Sequence, residues 1–414
     1  MPSLPNPTLR LGRRSAADVV GLDIQPGHIV AVQARVNGSV VAERAASLAL
    51  PADTVREGEV LDEGVLSESL RELFRDSDLG KRVRIGVANQ RTVLRTLELP
   101  PITDRKELDA AVRFQAQEQV PMPLANAVLD FHALGVHDTP AGPRQQVVLV
   151  AAQRDMVTRL LGAVRRAGLR PEGVDLSAFA LIRSFYRPDP EHDGRVLYLN
   201  VDGLTNMAIA EGSVCRFTRV VGGGMEAMAS ELAERRSAPV TEARAALAAA
   251  DLTTTAEPSS EPVGTFESES AAPEVGADTE HSAASYPESP EDSLTPSESF
   301  AALAEQTPLP SREPEQDADV RAVLENGIRE IAGEVRNSLD FHRSQEGGGE
   351  VTLVVLSGAA LDVPGFADAL EAELGVPVTR ETVAMTGGAI EGADGFSPQR
   401  LAIATGLAIE EAVR

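Results

Sequence analysis

The stretch GLDIQPGHIVAV, residues 21–32, carries the reading that decides the fold. It belongs to two apolar strands, DVVGLDI and HIVAVQARV, with Gln25, Pro26 and Gly27 between them and the acid Asp23 near the end of the first. Outward from it, Asn37-Gly38 supplies a tight turn into Ser39-Val40-Val41-Ala42, so three consecutive antiparallel strands are expected. VLSESLRELFRDSDL, from Val65, then places Val65, Leu66, Leu70, Leu73 and Phe74 on one helical face. Two further strands follow in VRIGVAN and RTVLRTLELP.

The same pattern returns in RVLYLNVDGLTNMAIAEGSVCRFTRVVGGG, residues 195–224: a strand ending in Asp202, a short turn, a strand, a turn at Gly212, a third strand, and glycines leading to a helix. A unit repeated in this way, each copy with an acid near the end of its first strand, predicts two related lobes enclosing a cleft. Between the copies, LPPITDRKELDAAVRFQAQEQVPMPLANAVLDFHALG and QQVVLVAAQ read as a compact insertion. Its helix is expected over Asp104–Gln119 with Thr103 as cap, Leu108, Ala111, Val112, Gln115 and Gln119 along one face, and Pro121 and Pro123 as the stop. Phe114 and Phe131 are expected to fill the core of this insertion, and Arg113 and Gln117 to face outward.

Composition narrows the function classes. The 414 residues are 43% hydrophobic with only 3% aromatics, which suits aliphatic helices laid on sheets, an α/β class. A net charge of -25 argues against non-specific binding to nucleic acid or to an anionic bilayer. From Leu252 to Asp319 the chain holds 16 acidic residues against one basic, Arg312, and this tract is expected to be disordered. A single cysteine, Cys215, rules out an internal disulfide or a thiolate-rich metal site and reads as a small apolar filler. The six histidines show no ligand spacing, so solvated or capping roles are expected for them, and no run long enough to span a bilayer is found.

The expected organisation is a flexible N-terminus (1–16), a first lobe begun over 17–96, an inserted subdomain over 97–169 and a connecting helix of that lobe over 170–194. A second lobe follows over 195–251 and 320–396, divided by the acidic insertion at 252–319, and a C-terminal helix over 397–414 returns to the first lobe.

Three elements taken together resemble the phosphate and adenosine loops of the actin, heat-shock ATPase and sugar-kinase superfamily: the strand with GLDI, the strand ending in VD with TN beyond its turn, and VVLSGAA before Pro-Gly. Within it, LELPPITDRKELDAAVRFQAQEQVPMPLANAVLDFHALG, AAQRDMVTRLLGAVRRAGLRPEGVDLSAFALIRSF, CRFTRVVGGG, VRNSLDFHRSQ and LSGAALDVPGFADALEAELGVPV make the chain similar to the PilM family of type IV pilus assembly. The resemblance implies a two-lobed actin-like fold of duplicated ribonuclease H-like units, with 97–169 as the extra subdomain of the FtsA type. It also implies a cytoplasmic protein held at the inner face of the membrane through partners: the tail of a PilN-like inner-membrane protein, and the pilus motor ATPase. A homo-oligomer is a further implied state, and an FtsA-like ATPase that polymerises at the membrane is the alternative.

ATP with magnesium is the cofactor that the resemblance implies, held by Asp23, Gly27, Asp202, Gly203, Thr205, Gly223, Gly358 and Ala359, with Asp23 and Asp202 toward the metal. The chain departs from the pattern where Gln25, Pro26 and Gly27 stand in place of Gly-Ser-Ser, where the second loop is short, and where Ala359 and Ala360 follow Gly358. Pro26 has no N–H for a phosphate oxygen, so binding is expected to be weakened and hydrolysis weak or absent. No catalytic residue is assigned. Asp175 is expected to cap the helix that begins at Ser177, and a sugar kinase is disfavoured for want of a general base. Arg113, Gln117 and Met122 are the candidate partner contacts.

Overall fold

The computed structural model describes residues 19–188, 194–253, 314–345, 347–386 and 397–410, all within one compact unit. The expected flexible N-terminus, and residues 254–313 of the acidic insertion, lie outside the described residues.

In the first lobe β1 (Val20–Gln25), β2 (His28–Asn37) and β3 (Ser39–Ala49) form the expected antiparallel meander. A small ribbon of β4 (Val55–Arg56) and β5 (Glu59–Val60) leads to α1 (Glu63–Arg75). Asp62 caps α1 by accepting the Val65 N–H at 2.9 Å, and Leu66, Leu70, Leu73 and Phe74 are buried beneath it. β6 (Arg82–Val87) then lies parallel to β1.

The inserted subdomain is a sheet of β7 (Val93–Leu99), β8 (Ala127–Thr139) and β9 (Gly142–Gln153), ordered β7-β9-β8 and covered on one face by α2 (Arg105–Gln119). Asp104, not Thr103, caps α2: its carboxylate reaches two N–H groups, those of Lys106 and Glu107, at 2.9 and 3.0 Å. After α3 (Arg154–Arg166), the segment expected as a connecting helix opens with β10 (Arg170–Leu176), parallel to β6, before α4 (Ser177–Phe185). Pro171 and Gly173 mask this strand in sequence; a register shift lies between them.

The second lobe runs through β11 (Arg195–Val201), β12 (Thr205–Glu211), β13 (Val214–Val221), α5 (Met225–Arg236) and α6 (Val240–Ala248). It resumes with α7 (Pro314–Ser344), β14 (Val351–Ser357), α8 (Phe366–Leu374) and β15 (Val378–Arg380). The described part of this helix thus starts at Pro314, inside the tract expected to be disordered up to residue 319. β16 (Ala384–Met385) crosses back to pair with β3, and α9 (Ala402–Ala408) closes the described chain.

Sheet order is β10-β6-β1-β2-β3-β16 in one lobe and β13-β12-β11-β14-β15 in the other. In each, the first strand of the lobe is central, antiparallel to the second on one side and parallel to a later strand on the other. This shared order, outside the small ribbon, the insertion and β16, is the ribonuclease H-like plan built twice, and the fold is two-lobed, actin-like α/β.

Helices α4 and α9 lie between the sheets. Leu181, Ile182 and Ala404 join one core with Val30 and Val32 of β2 and Tyr198 and Ala208 of the second lobe. The small residues of α9 follow from backbone contact, since a Cβ on Gly21 would overlap the Ala404 carbonyl oxygen, and one on Gly406 that of Ala180.

Candidate functional site

The tips of the two lobes' first hairpins meet at the cleft. Gln25 pairs with His28, so β1 and β2 are joined by only two residues, Pro26 and Gly27, with Gly27 at φ 87°. Proline followed by a positive-φ glycine fits a type II turn. In the second lobe Val201 pairs with Thr205, leaving Asp202, Gly203 and Leu204 as the turn. Gly203 is needed here: a Cβ would stand 2.5 Å from the Pro26 carbonyl oxygen.

Gln25 spans this contact. Its Nε2 donates to Asp23 Oδ2 at 2.9 Å, and its Oε1 accepts the Leu204 N–H at 3.1 Å from across the cleft. Asp202 Oδ2 lies 3.5 Å from His28 Nε2, and its Oδ1 3.6 Å from Arg400 Nε. All four of Asp23, Gln25, His28 and Asp202 are buried. Burial pushes the Asp23 carboxyl up to about 6, against the Gln25 amide and His28, with Asp202 adding to the rise. Burial also opposes ionisation of Asp202, but His28, Arg400 and the Gly203 N–H outweigh it and hold that carboxyl below its usual range.

The structure therefore brings Asp23, Gly27, Asp202, Gly203 and Ala359 together around one small cavity or directly beside it. Thr205 is fully buried at the start of β12, its hydroxyl without a protein partner, and Gly358 packs against Val201 at φ 97°. Gly223 is set apart, lining a separate cavity of about 330 Å³ beside Met228 and Ile331. Gly224 instead approaches the Asp202 and Gly203 carbonyls. Sequence reasoning missed Gln25, His28 and Arg400 as working members of the site. His28 is neither solvated nor a cap, and its only sequence signal was its place at the rim of the Pro-Gly turn.

A triphosphate with hydrated magnesium, which this fold class implies, does not fit these residues as arranged. The cavity lined by Pro26, Gly27, His28, Asp202 and Arg400 is about 50 Å³, whereas ligand pockets run to roughly 300 Å³ and more. The Leu204 N–H is already taken, and Asp202 is already paired. Among the described residues, no three His, Cys, Asp or Glu side chains cluster as a metal site.

A much larger groove lies elsewhere. On β9, Val147, Leu149 and Ala151 pack against Leu108, Val112 and Ala116 of α2. Alternate residues of a strand face opposite ways, and Val148 and Val150 look instead onto a groove shared with β8, β10 and α4. Its main chamber is about 780 Å³ and continues into one of about 240 Å³; Asp130, His132, Val148, Asp175 and Phe179 line both. Asp175 does not cap α4. Its Oδ2 accepts from Arg183 at 2.5 Å and its Oδ1 from the Leu176 N–H, while Arg183 also donates to the Gly406 carbonyl.

Arg113 and Gln117 are exposed on the outer side of α2, and Arg113 pairs with Asp109 at 2.8 Å. Met122 is half-buried against the subdomain's own core, as is Phe131. Phe114 is 65% exposed rather than core, because it falls on the side of α2 opposite Leu108, Val112 and Ala116.

Two ribonuclease H-like lobes meeting at paired hairpin tips define an actin-like protein, a nucleotide-binding fold class. The chain belongs to the family described as type IV pilus assembly protein PilM, which it matches over residues 21–254, more than half its length. Among solved structures it is similar to the PilM-PilN type IV pilus biogenesis complex, with a TM-score of 0.66 and 20% identity over 95% of this chain and 98% of that one. It is also similar to the ethanolamine utilization protein EutJ from Carboxydothermus hydrogenoformans, at TM-score 0.46 and 13% identity over 94% and 88% of the two chains. MreB5 of Spiroplasma citri bound to AMPPNP matches at TM-score 0.42 and 8% identity, over 87% and 90%.

Proposed function

We propose that the protein is a cytoplasmic scaffold of type IV pilus assembly that takes the tail of a PilN-like inner-membrane protein into the groove between β8, β9 and α4, and so links the membrane complex to the pilus motor. The observation that carries this reading is the groove itself. Val148, Phe179 and Ile182 offer apolar pockets, Asp130 and His132 offer polar contacts, and β8 is the edge strand of its sheet. An extended peptide beside such an edge gains backbone hydrogen bonds and side-chain pockets together. Membership of the PilM family, and the likeness to a chain solved with PilN, support the choice of partner. The groove is favoured over the outer side of α2, where Arg113 is engaged by Asp109. Nucleotide is secondary in this role, with ATP binding weakened.

The test is titration of the full chain with the N-terminal tail peptide of the PilN-like protein. Val128, in the groove and 38% exposed, is the residue to change. Val128→Asp should weaken binding by about 2 kcal/mol, the scale of an interface hot spot, with melting unaltered. Arg113→Glu should bind as the unaltered protein does. The reverse pattern would move the site to α2.

A further inference from the structure

The cleft residues disagree with the group that the fold class implies, and the disagreement has a definite form. Gln25 is 1% exposed, and both ends of its amide are engaged: one holds Asp23 of its own lobe, the other reaches across the cleft to the Leu204 N–H of the opposite lobe. A phosphate held between such loops needs free backbone N–H groups, and the side chain has taken this one. A magnesium ion needs ionised oxygens and room for its waters. His28 and Arg400 already stand beside the Asp202 carboxylate at 3.5 and 3.6 Å and balance its charge, and the remaining volume, about 50 Å³, is room for only a few waters. The hairpin tips themselves touch, through Gly203 against the Pro26 carbonyl.

We infer that Gln25 is an internal clasp standing where nucleotide phosphates would lie, so that the chain holds its two lobes closed without a ligand. A nucleotide would have to break two buried hydrogen bonds and the pairing of Asp202 before making any contact of its own. A ligand shifts a conformational equilibrium only by its differential affinity for the two states, and here the closed state leaves about 50 Å³, too little for a triphosphate to be rewarded there. Lobe closure is thus a property of the sequence rather than a response to ATP. This inference is independent of where a partner tail docks.

The experiment is calorimetric titration of the full chain with magnesium-ATP and magnesium-ADP, joined to hydrogen–deuterium exchange of residues 20–28 and 199–206 with and without nucleotide. The unaltered protein should give no binding heat at millimolar nucleotide and no change in exchange at either loop. Gln25→Ala should speed exchange at the β11–β12 turn about tenfold, the effect of one net hydrogen bond, and should open the cleft to nucleotide. Micromolar binding by the unaltered protein with new protection at both loops would overturn the clasp, as would a Gln25→Ala protein whose turn exchanges at the original rate. If Gln25→Ala does not fold, the unaltered protein's titration decides alone.

Discussion

Replacing Asp23 by asparagine should stabilise the protein, by an amount that grows as pH rises from 3.8 to about 6 and is complete at neutral pH. Asp23 is buried, and its carboxyl titrates at about 6 in the folded chain against 3.8 for the free group. The folded state therefore holds this proton more tightly than the unfolded state. A raised group contributes stability that is complete below pH 3.8 and is lost as pH rises through about 6. The rise from 3.8 to about 6 corresponds to about 3 kcal/mol. Asparagine is neutral throughout, and its carbonyl oxygen can still accept from Gln25 Nε2, so the variant lacks that loss. The assay is urea denaturation of the two proteins side by side across this pH range. The free-energy difference should be near zero at acid pH and reach about 3 kcal/mol in favour of Asp23→Asn once pH exceeds about 7. A difference independent of pH, or a less stable Asp23→Asn protein at high pH, would refute the account of a carboxylate charged against burial.

Two glycine substitutions test packing, and labelling of the cysteine tests burial. Gly406→Ala should destabilise by about 1–3 kcal/mol in chemical denaturation, the cost of overpacking, because the new methyl overlaps the Ala180 carbonyl; Gly333→Ala, in α7 with open space at that position, should instead gain about 0.5–1 kcal/mol. Cys215 is buried, and burial pushes its thiol up to about 12; it should resist iodoacetamide at neutral pH until denaturant is added, and rapid labelling of the native protein would contradict its placement.

Both hairpins of the cleft were legible in the sequence because their signals are local. Alternating apolar residues mark the strands, and Pro26-Gly27 and Asp202-Gly203 mark the turns between them. The same locality put Leu108 and Val112 of α2 on the right side, but the cap falls at Asp104 rather than Thr103, and Ala116 is buried where Gln119 is exposed. Phe114 shows where the method stops, since hydrophobicity alone does not say which side of a helix meets its sheet. β10 was hidden for a related reason: a short strand with a proline and a glycine is recognised by its parallel partner β6, not by its own residues.

By itself, then, the sequence determined a duplicated strand plan, an inserted subdomain, and two acids at matching strand ends. Periodicity and turn chemistry act over a few residues and survive any later packing. Only the tertiary structure decided what the cleft became. The hydrogen bond from Leu204 N–H to Gln25 joins residues 179 apart, and Arg400 reaches Asp202 from the far end of the chain. No local pattern encodes such meetings, because they depend on the distance at which α4 and α9 hold the two sheets. That distance is set by backbone contact at Gly21 and Gly406, and it brings the hairpin tips close enough for one glutamine amide to span them.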